Sequence, residues 1–175
     1  DFPESFRTML SPELIARMAD EIAGVSYIKL EDYPVLAKMS RIQRLAPDSI
    51  GIFGGLGGVY FLEELQRGSR GIMTGFAFPE VLVGIYEAFR AGDSGRAAAL
   101  FDRYVPLIRY EFQPKIGLAY RKFIYHRRGI IDSTFIRPPG LQIDDYTCTE
   151  LMAIIKRVGF DLDISGAQLV DIAAV

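Results

Sequence analysis

The sequence predicts an α/β fold of parallel βαβ units that gives way to a helical segment. Two observations carry this. Short apolar runs centred near residues 28, 52 and 73 recur, each followed by a loop and a helix-period pattern. After Ala91 the strand signal stops and only helix patterns remain. Brief, apolar strands alternating with helices indicate a parallel sheet with both faces covered. The spacing suits a (β/α)8 barrel, with a doubly wound sheet as the alternative. In either fold the chemistry belongs at the carboxyl ends of the strands, where Lys29, Gly54 and Met73-Thr74 fall.

Asp1 to Met9 reads as a loop. Ser11 is a good N-cap, Pro12 suits the first helical position, and Gly24 stops the helix. A strand over Val25–Leu30 follows, then a covering helix from Pro34 to Leu45. Pro47 and Asp48 turn the chain into the strand Ile50–Phe53, which runs into Gly54-Gly55-Leu56-Gly57-Gly58 and a helix to Gln66. Gly71–Gly75 is the third strand and Pro79–Ala91 the third covering helix. Asp93 or Ser94 caps a long helix to about Phe112, and Pro114 opens another to Arg127. Asp144 or Asp145 caps a helix from Tyr146 to Val158, and Asp163–Val175 reads as a short terminal helix.

The composition excludes several classes. A net charge of −2 gives no reason to expect a nucleic-acid or anionic-membrane partner. No apolar run approaches the roughly 18 residues needed to span a bilayer, and no signal peptide is visible. One cysteine, Cys148, forbids an intrachain disulfide and fits a cytoplasmic protein. The chain opens without methionine, which suggests a trimmed start or a place inside a longer chain.

Lys29 stands in the apolar run Val25–Leu30 and has two readings. Burial disfavours the ammonium, and a neutral amine attacks a carbonyl carbon to form a Schiff base. Alternatively its stem is buried and its head reaches water past the strand end. Glu31 and Asp32 are adjacent and cannot point the same way, so a shared two-carboxylate metal site is not expected. One of them could instead tune the lysine or hold an amide of the exit loop. The glycine run fails the dinucleotide fingerprint, because the third glycine would fall on Tyr60, and it lacks the P-loop Lys-Ser/Thr. It suits a tight turn or the approach of backbone to a small ligand. The single histidine, His126, lies in a basic run that reads as a solvated helix end. A histidine triad or multi-histidine metal site is excluded by count, and no cofactor is expected.

Four pieces, taken in order, resemble the dihydrodipicolinate synthase / N-acetylneuraminate lyase family of Schiff-base-forming lyases. Asp1-Phe2-Pro3 is similar to the end of its Tyr-Asn-x-Pro segment, and Tyr27-Ile28-Lys29 to the Gly-Ile-Lys strand that carries the reactive lysine. Phe53-Gly54-Gly55 corresponds to its Ser-Gly-Asp segment and Gly71–Gly75 to its Gly-x-Ile-Ser strand. The resemblance implies the C-terminal portion of a (β/α)8 TIM barrel: residues 1–92 supply about three βα units, and residues 93–175 form a C-terminal helical segment. It implies that Lys29 attacks the keto carbon of pyruvate or a related 2-oxo acid. Gly54, Gly55, Met73 and Thr74 would line that pocket, Met73 through its backbone. The family is usually tetrameric. Its Thr-Thr pair and relay tyrosine have no counterpart in this chain, so the chain alone is expected to be inactive. The synthase's arginine for its second substrate is Ser5 here, with Arg7 out of register, which moves weight toward an aldolase or dehydratase acting on a sugar-derived 2-oxo acid. The rival reading is a non-catalytic half-barrel that works by binding or assembly.

Overall fold

A computed structural model of the chain describes residues 1–46, 49–160 and 162. It divides into two compact units, Asp1–Thr74 and Gly75–Val175.

The first unit is built on a three-stranded parallel sheet, β1 (Tyr27–Lys29), β2 (Gly51–Gly54) and β3 (Gly71–Ile72), in that spatial order. The register pairs Lys29 with Phe53 and Gly54 with Ile72. Parallel neighbours need crossover helices, and the sequence supplies them. Helix α3 (Val35–Leu45) links β1 to β2, burying Val35, Met39 and Ile42. A 3-10 turn (Leu56–Gly58) and α4 (Phe61–Gln66) link β2 to β3. Before the sheet, α2 (Pro12–Glu21) is capped by Ser11, whose side chain accepts from the Leu14 amide at 3.1 Å. The stretch expected as a loop, Asp1–Met9, contains one helical turn, α1 (Pro3–Phe6), started by Pro3 at its first position and ended by Arg7 with a left-handed φ of 57°.

The two faces of the sheet differ within this unit. Alternate residues of a strand face opposite ways. Leu30 and Ile52 are fully buried, whereas on the other face Tyr27 is 63% exposed. Tyr27 and Phe53 pack there as a tilted pair 5.5 Å apart. Within this unit the helices cover one face only. The strands are also shorter than the apolar runs that marked them, because ladder pairing stops where the chain turns toward its loops.

The second unit is helical: α5 (Pro79–Arg90), α6 (Ser94–Glu111), α7 (Gly117–Arg127) and α8 (Asp145–Arg157). Asp93 caps α6 by accepting from the Arg96 amide at 2.9 Å, and Asp144 caps α8 by accepting from Thr147 at 2.7 Å, each worth about 1 kcal/mol. Helix α6 packs on α5 and continues through Pro106. Its core centres on Phe160, stacked between Phe78 at 4.7 Å and Tyr104 at 4.9 Å. Buried polar side chains grip the segment before α5. The Ala77 amide donates to Glu111 at 3.0 Å, and Arg128 donates to the Ala77 carbonyl and pairs with Glu80 at 2.6 Å. Pro114 does not open α7, as the sequence suggested. Lys115 takes a left-handed φ of 71°, which breaks helical continuation, and α7 starts at Gly117. The expected helix Asp163–Val175 lies outside the described residues.

Candidate active site

Parallel strands all present their carboxyl ends on one edge of the sheet, and the loops that leave them meet there. In the first unit these are Lys29 with Leu30–Asp32, Gly54 with Gly55–Gly58, and Ile72 with Met73-Thr74. The ladder continues past the strands: the Leu30 amide donates to Phe53 O at 2.8 Å, and the Met73 amide donates to Gly54 O at 3.0 Å. Lys29, Gly54 and Met73 therefore lie at the ends of neighbouring strands, Gly54 and Met73 one and two residues past the register of Lys29. Gly55 is buried beside Gly54, and Thr74 is half-buried after Met73.

Of the two readings of Lys29, the described unit matches the one in which the stem packs on the strand and the head reaches past it. Lys29 faces the open side of the sheet, with its side chain 40% exposed. Its Nζ lies 2.8 Å from Glu31 Oε2, an ion pair two residues apart on the same face of an extended chain. Asp32 points elsewhere, as adjacency requires: it shares Lys38 Nζ with Asp1, each carboxylate accepting at 2.6 Å. Asp1 also runs along the outer side of β1, its nitrogen donating to Lys29 O at 2.8 Å and its carbonyl accepting from the Glu31 amide at 2.9 Å. The carboxyl end of β1 is thus fixed on both flanks, by β2 and by the Asp1 segment.

The glycine run has a use that sequence spacing did not show. Gly57 and Gly58 take positive φ of 69° and 94° and make the tight turn. Gly54 and Gly55 instead make room for two carboxylates. A Cβ at Gly55 would stand 2.3 Å from Glu31 Oε1, and a Cβ at Gly54 would stand 1.7 Å from Glu64 Oε2. Glu31 Oε1 accepts from the Leu56 amide at 2.9 Å, so this one side chain both pairs with the lysine and holds an amide of the neighbouring loop. With a carboxylate filling the space beside Gly55, the loop is unsuited to phosphate.

Glu64 escaped the sequence reading. It sits on α4 with no exposed surface, and neither carboxyl oxygen has a hydrogen-bond partner among the described residues. Burial, reinforced by the charges of Glu63 and Glu31, raises its pKa from 4.5 to about 8. The available signal was its position on a helix whose other buried residues, Phe61, Leu62 and Leu65, leave little polar face. His126 is exposed in the last turn of α7, where a cation suits the helix dipole. Among the described residues no cluster of three or more metal-ligating side chains occurs, and no helix is long and apolar enough to cross a membrane.

Parallel βα units with a lysine at one strand's carboxyl end, beside glycine-lined neighbours, place the chain among α/β proteins whose sites lie on the strand-end loops. More particularly, the chain belongs to the dihydrodipicolinate synthetase family, whose model matches residues 1–158. An L-2-keto-3-deoxyarabonate dehydratase of Azospirillum brasilense is 35% identical over 152 residues, 86% of this chain and 49% of that protein. A dihydrodipicolinate synthase from Rhodopseudomonas palustris superposes with a TM-score of 0.84 at 33% identity, over 90% of this chain and 54% of the other. The fold is shared as well with YagE, a prophage protein of the dihydrodipicolinic acid synthase family from E. coli K12 solved in complex with pyruvate. That match has a TM-score of 0.78 at 19% identity and covers 90% of this chain and 54% of the other. The chain spans about half the length of the relatives it matches.

Proposed function

We propose that the protein is a Schiff-base-forming lyase in which Lys29 attacks the keto carbon of pyruvate or a related 2-oxo acid. The observation that carries this reading is the place of Lys29: at the carboxyl end of β1, its amine on the open face, with Gly54 and Met73 just past its register at the next strand ends. The iminium formed at C2 is an electron sink. For a 3-deoxy-2-oxo sugar acid, loss of a proton from C3 and of the hydroxyl from C4 eliminates water. Hydrolysis of the conjugated iminium then returns the amine. The dehydratase relative, at 35% identity, and Ser5 at the position of the synthase's arginine favour such a substrate over the synthase reaction. In this reading Gly54, Gly55, Met73 and Thr74 line the pocket.

The reading brings an architecture with it. Residues 1–92 supply about three βα units of a (β/α)8 barrel, residues 93–175 add a helical segment, and the protein is a cytoplasmic homotetramer. Light scattering of the full-length protein tests the assembly, and a monomeric mass contradicts it.

The chemical test is borohydride reduction of the full-length protein with pyruvate and a panel of 2-oxo acids, followed by peptide mass spectrometry. A reduced adduct on Lys29 is expected. Absence of an adduct with every acid, or an adduct on another lysine, overturns the reading.

A further inference from the structure

We propose that Glu31 is a catalytic residue that carries protons to and from Lys29 Nζ, an inference that rests on the Schiff-base reading. Three observations carry it. Oε2 lies 2.8 Å from the reacting nitrogen. Oε1 is engaged by the Leu56 amide at 2.9 Å, so the carboxylate is held by its other oxygen and does not swing away. The space it fills exists only because residue 55 lacks a side chain, and Leu56 adopts a left-handed φ of 46° to present its amide. Both neighbouring residues are shaped around Glu31.

The other acids of this region are committed elsewhere. Asp1 and Asp32 both bind Lys38, and Glu64 is enclosed against Gly54. Among the described residues, Glu31 is the carboxylate paired with Lys29. Among the described residues, the charged and titratable groups that act on its surroundings include Lys29 on β1, the nitrogen of Asp1 beside it, Tyr33 in the following loop and Glu64 on α4.

The proton balance closes with Glu31 alone. The carboxylate takes one proton from the ammonium, and the freed lone pair attacks C2. Protonated Glu31 donates to the new C2 oxygen and takes the second proton from nitrogen, giving a neutral carbinolamine and leaving Glu31 protonated. Protonated Glu31 then donates to the carbinolamine hydroxyl, the C–O bond breaks, and water leaves. The products are the iminium, water and the original carboxylate. Hydrolysis runs through the same steps in reverse.

The experiment measures the rate of cyanoborohydride-trapped adduct at Lys29 on full-length protein, across pyruvate concentration and pH. Glu31→Gln keeps the size and an acceptor for the Leu56 amide, so its melting temperature is expected to stay within a few degrees of wild type. Its maximal trapping rate is expected to fall roughly 100-fold or more, within the range for loss of a general acid–base group. The half-saturating pyruvate concentration should hardly change. A loop clamp without a chemical role would instead alter saturation and leave the maximal rate alone. Glu31→Asp, which keeps the carboxylate, should recover part of the rate and serves as the probe should Glu31→Gln not fold. Wild-type protein gives a third measure, since its trapping rate should not climb in simple proportion to hydroxide between pH 5 and 9. Trapping by Glu31→Gln at the wild-type rate, or such a hydroxide-driven profile, overturns the role of Glu31 while the Schiff-base reading stands. No adduct in wild type overturns both.

Discussion

Replacing Lys29 with alanine in the full-length protein is expected to abolish the trapped 2-oxo acid adduct and to lower turnover by roughly four to six orders of magnitude, the scale seen when a covalent nucleophile is removed. The fold should survive. In this unit the Lys29 side chain is 40% exposed, and an ion pair at that exposure contributes at most about 1 kcal/mol. The ladder contacts of residue 29 are made by backbone, which alanine retains. Lys29→Arg is the sharper control. Arginine keeps the charge and can still reach Glu31, but its guanidinium does not give up a proton in a protein and cannot attack the keto carbon. Adduct formation by either variant at another lysine, with turnover retained, removes Lys29 from the chemistry. Loss of the adduct together with a collapsed melting curve assigns Lys29 to the fold instead.

The two outcomes at β1 show what a sequence does and does not disclose. The βα period was legible because each strand is a short apolar run closed by glycine or proline, and because Ser11, Asp93 and Asp144 announce their helices. Lys29 was legible as a strand-end residue for the same reason. Where its amine sits was not, because an apolar run reads alike whether a lysine's head is buried or reaches past the strand end. Glu31 was half legible: adjacency parts it from Asp32 and leaves one of the two to tune the lysine or hold a loop amide, but the Leu56 amide that fixes it comes from a loop 25 residues later. The glycine run was legible as a turn. Its second use, making room for Glu31 and Glu64, depends on which side chains fold over it, and nothing local encodes that. Pro114 misled because a proline that suits the first turn of a helix also suits an ordinary turn, and the left-handed Lys115 decided between them.

Glu64 gives the second large effect, and it is one of stability. Burial is the main cause that lifts its pKa from 4.5 to about 8, so the folded protein keeps a proton there that the unfolded chain has released. Below pH 4.5 both states are protonated and nothing is lost. Between pH 4.5 and 8 folding takes up a proton, so stability falls as pH rises, by on the order of 4 kcal/mol across the window. Glu64→Gln stays neutral in both states and should flatten that part of the stability–pH curve in urea titrations, raising stability most near pH 8. Glu111, also lifted to about 8 by burial, leaves a residual slope of the same sign. Gly54→Ala probes the same contact from the strand. Its new Cβ would stand 1.7 Å from Glu64 Oε2, and overpacking of this kind costs about 1–3 kcal/mol. Shortening the acid at the same time, in Gly54→Ala/Glu64→Ala, opens the space the new methyl needs. The double variant should therefore be less destabilised than the sum of the singles, since two side chains in direct contact do not act independently. Additive costs, or a stability–pH curve unchanged by Glu64→Gln, would show that Glu64 does not occupy this pocket as a neutral acid. The flattened curve and the coupling together would establish that the strand-end glycine is there to seat it.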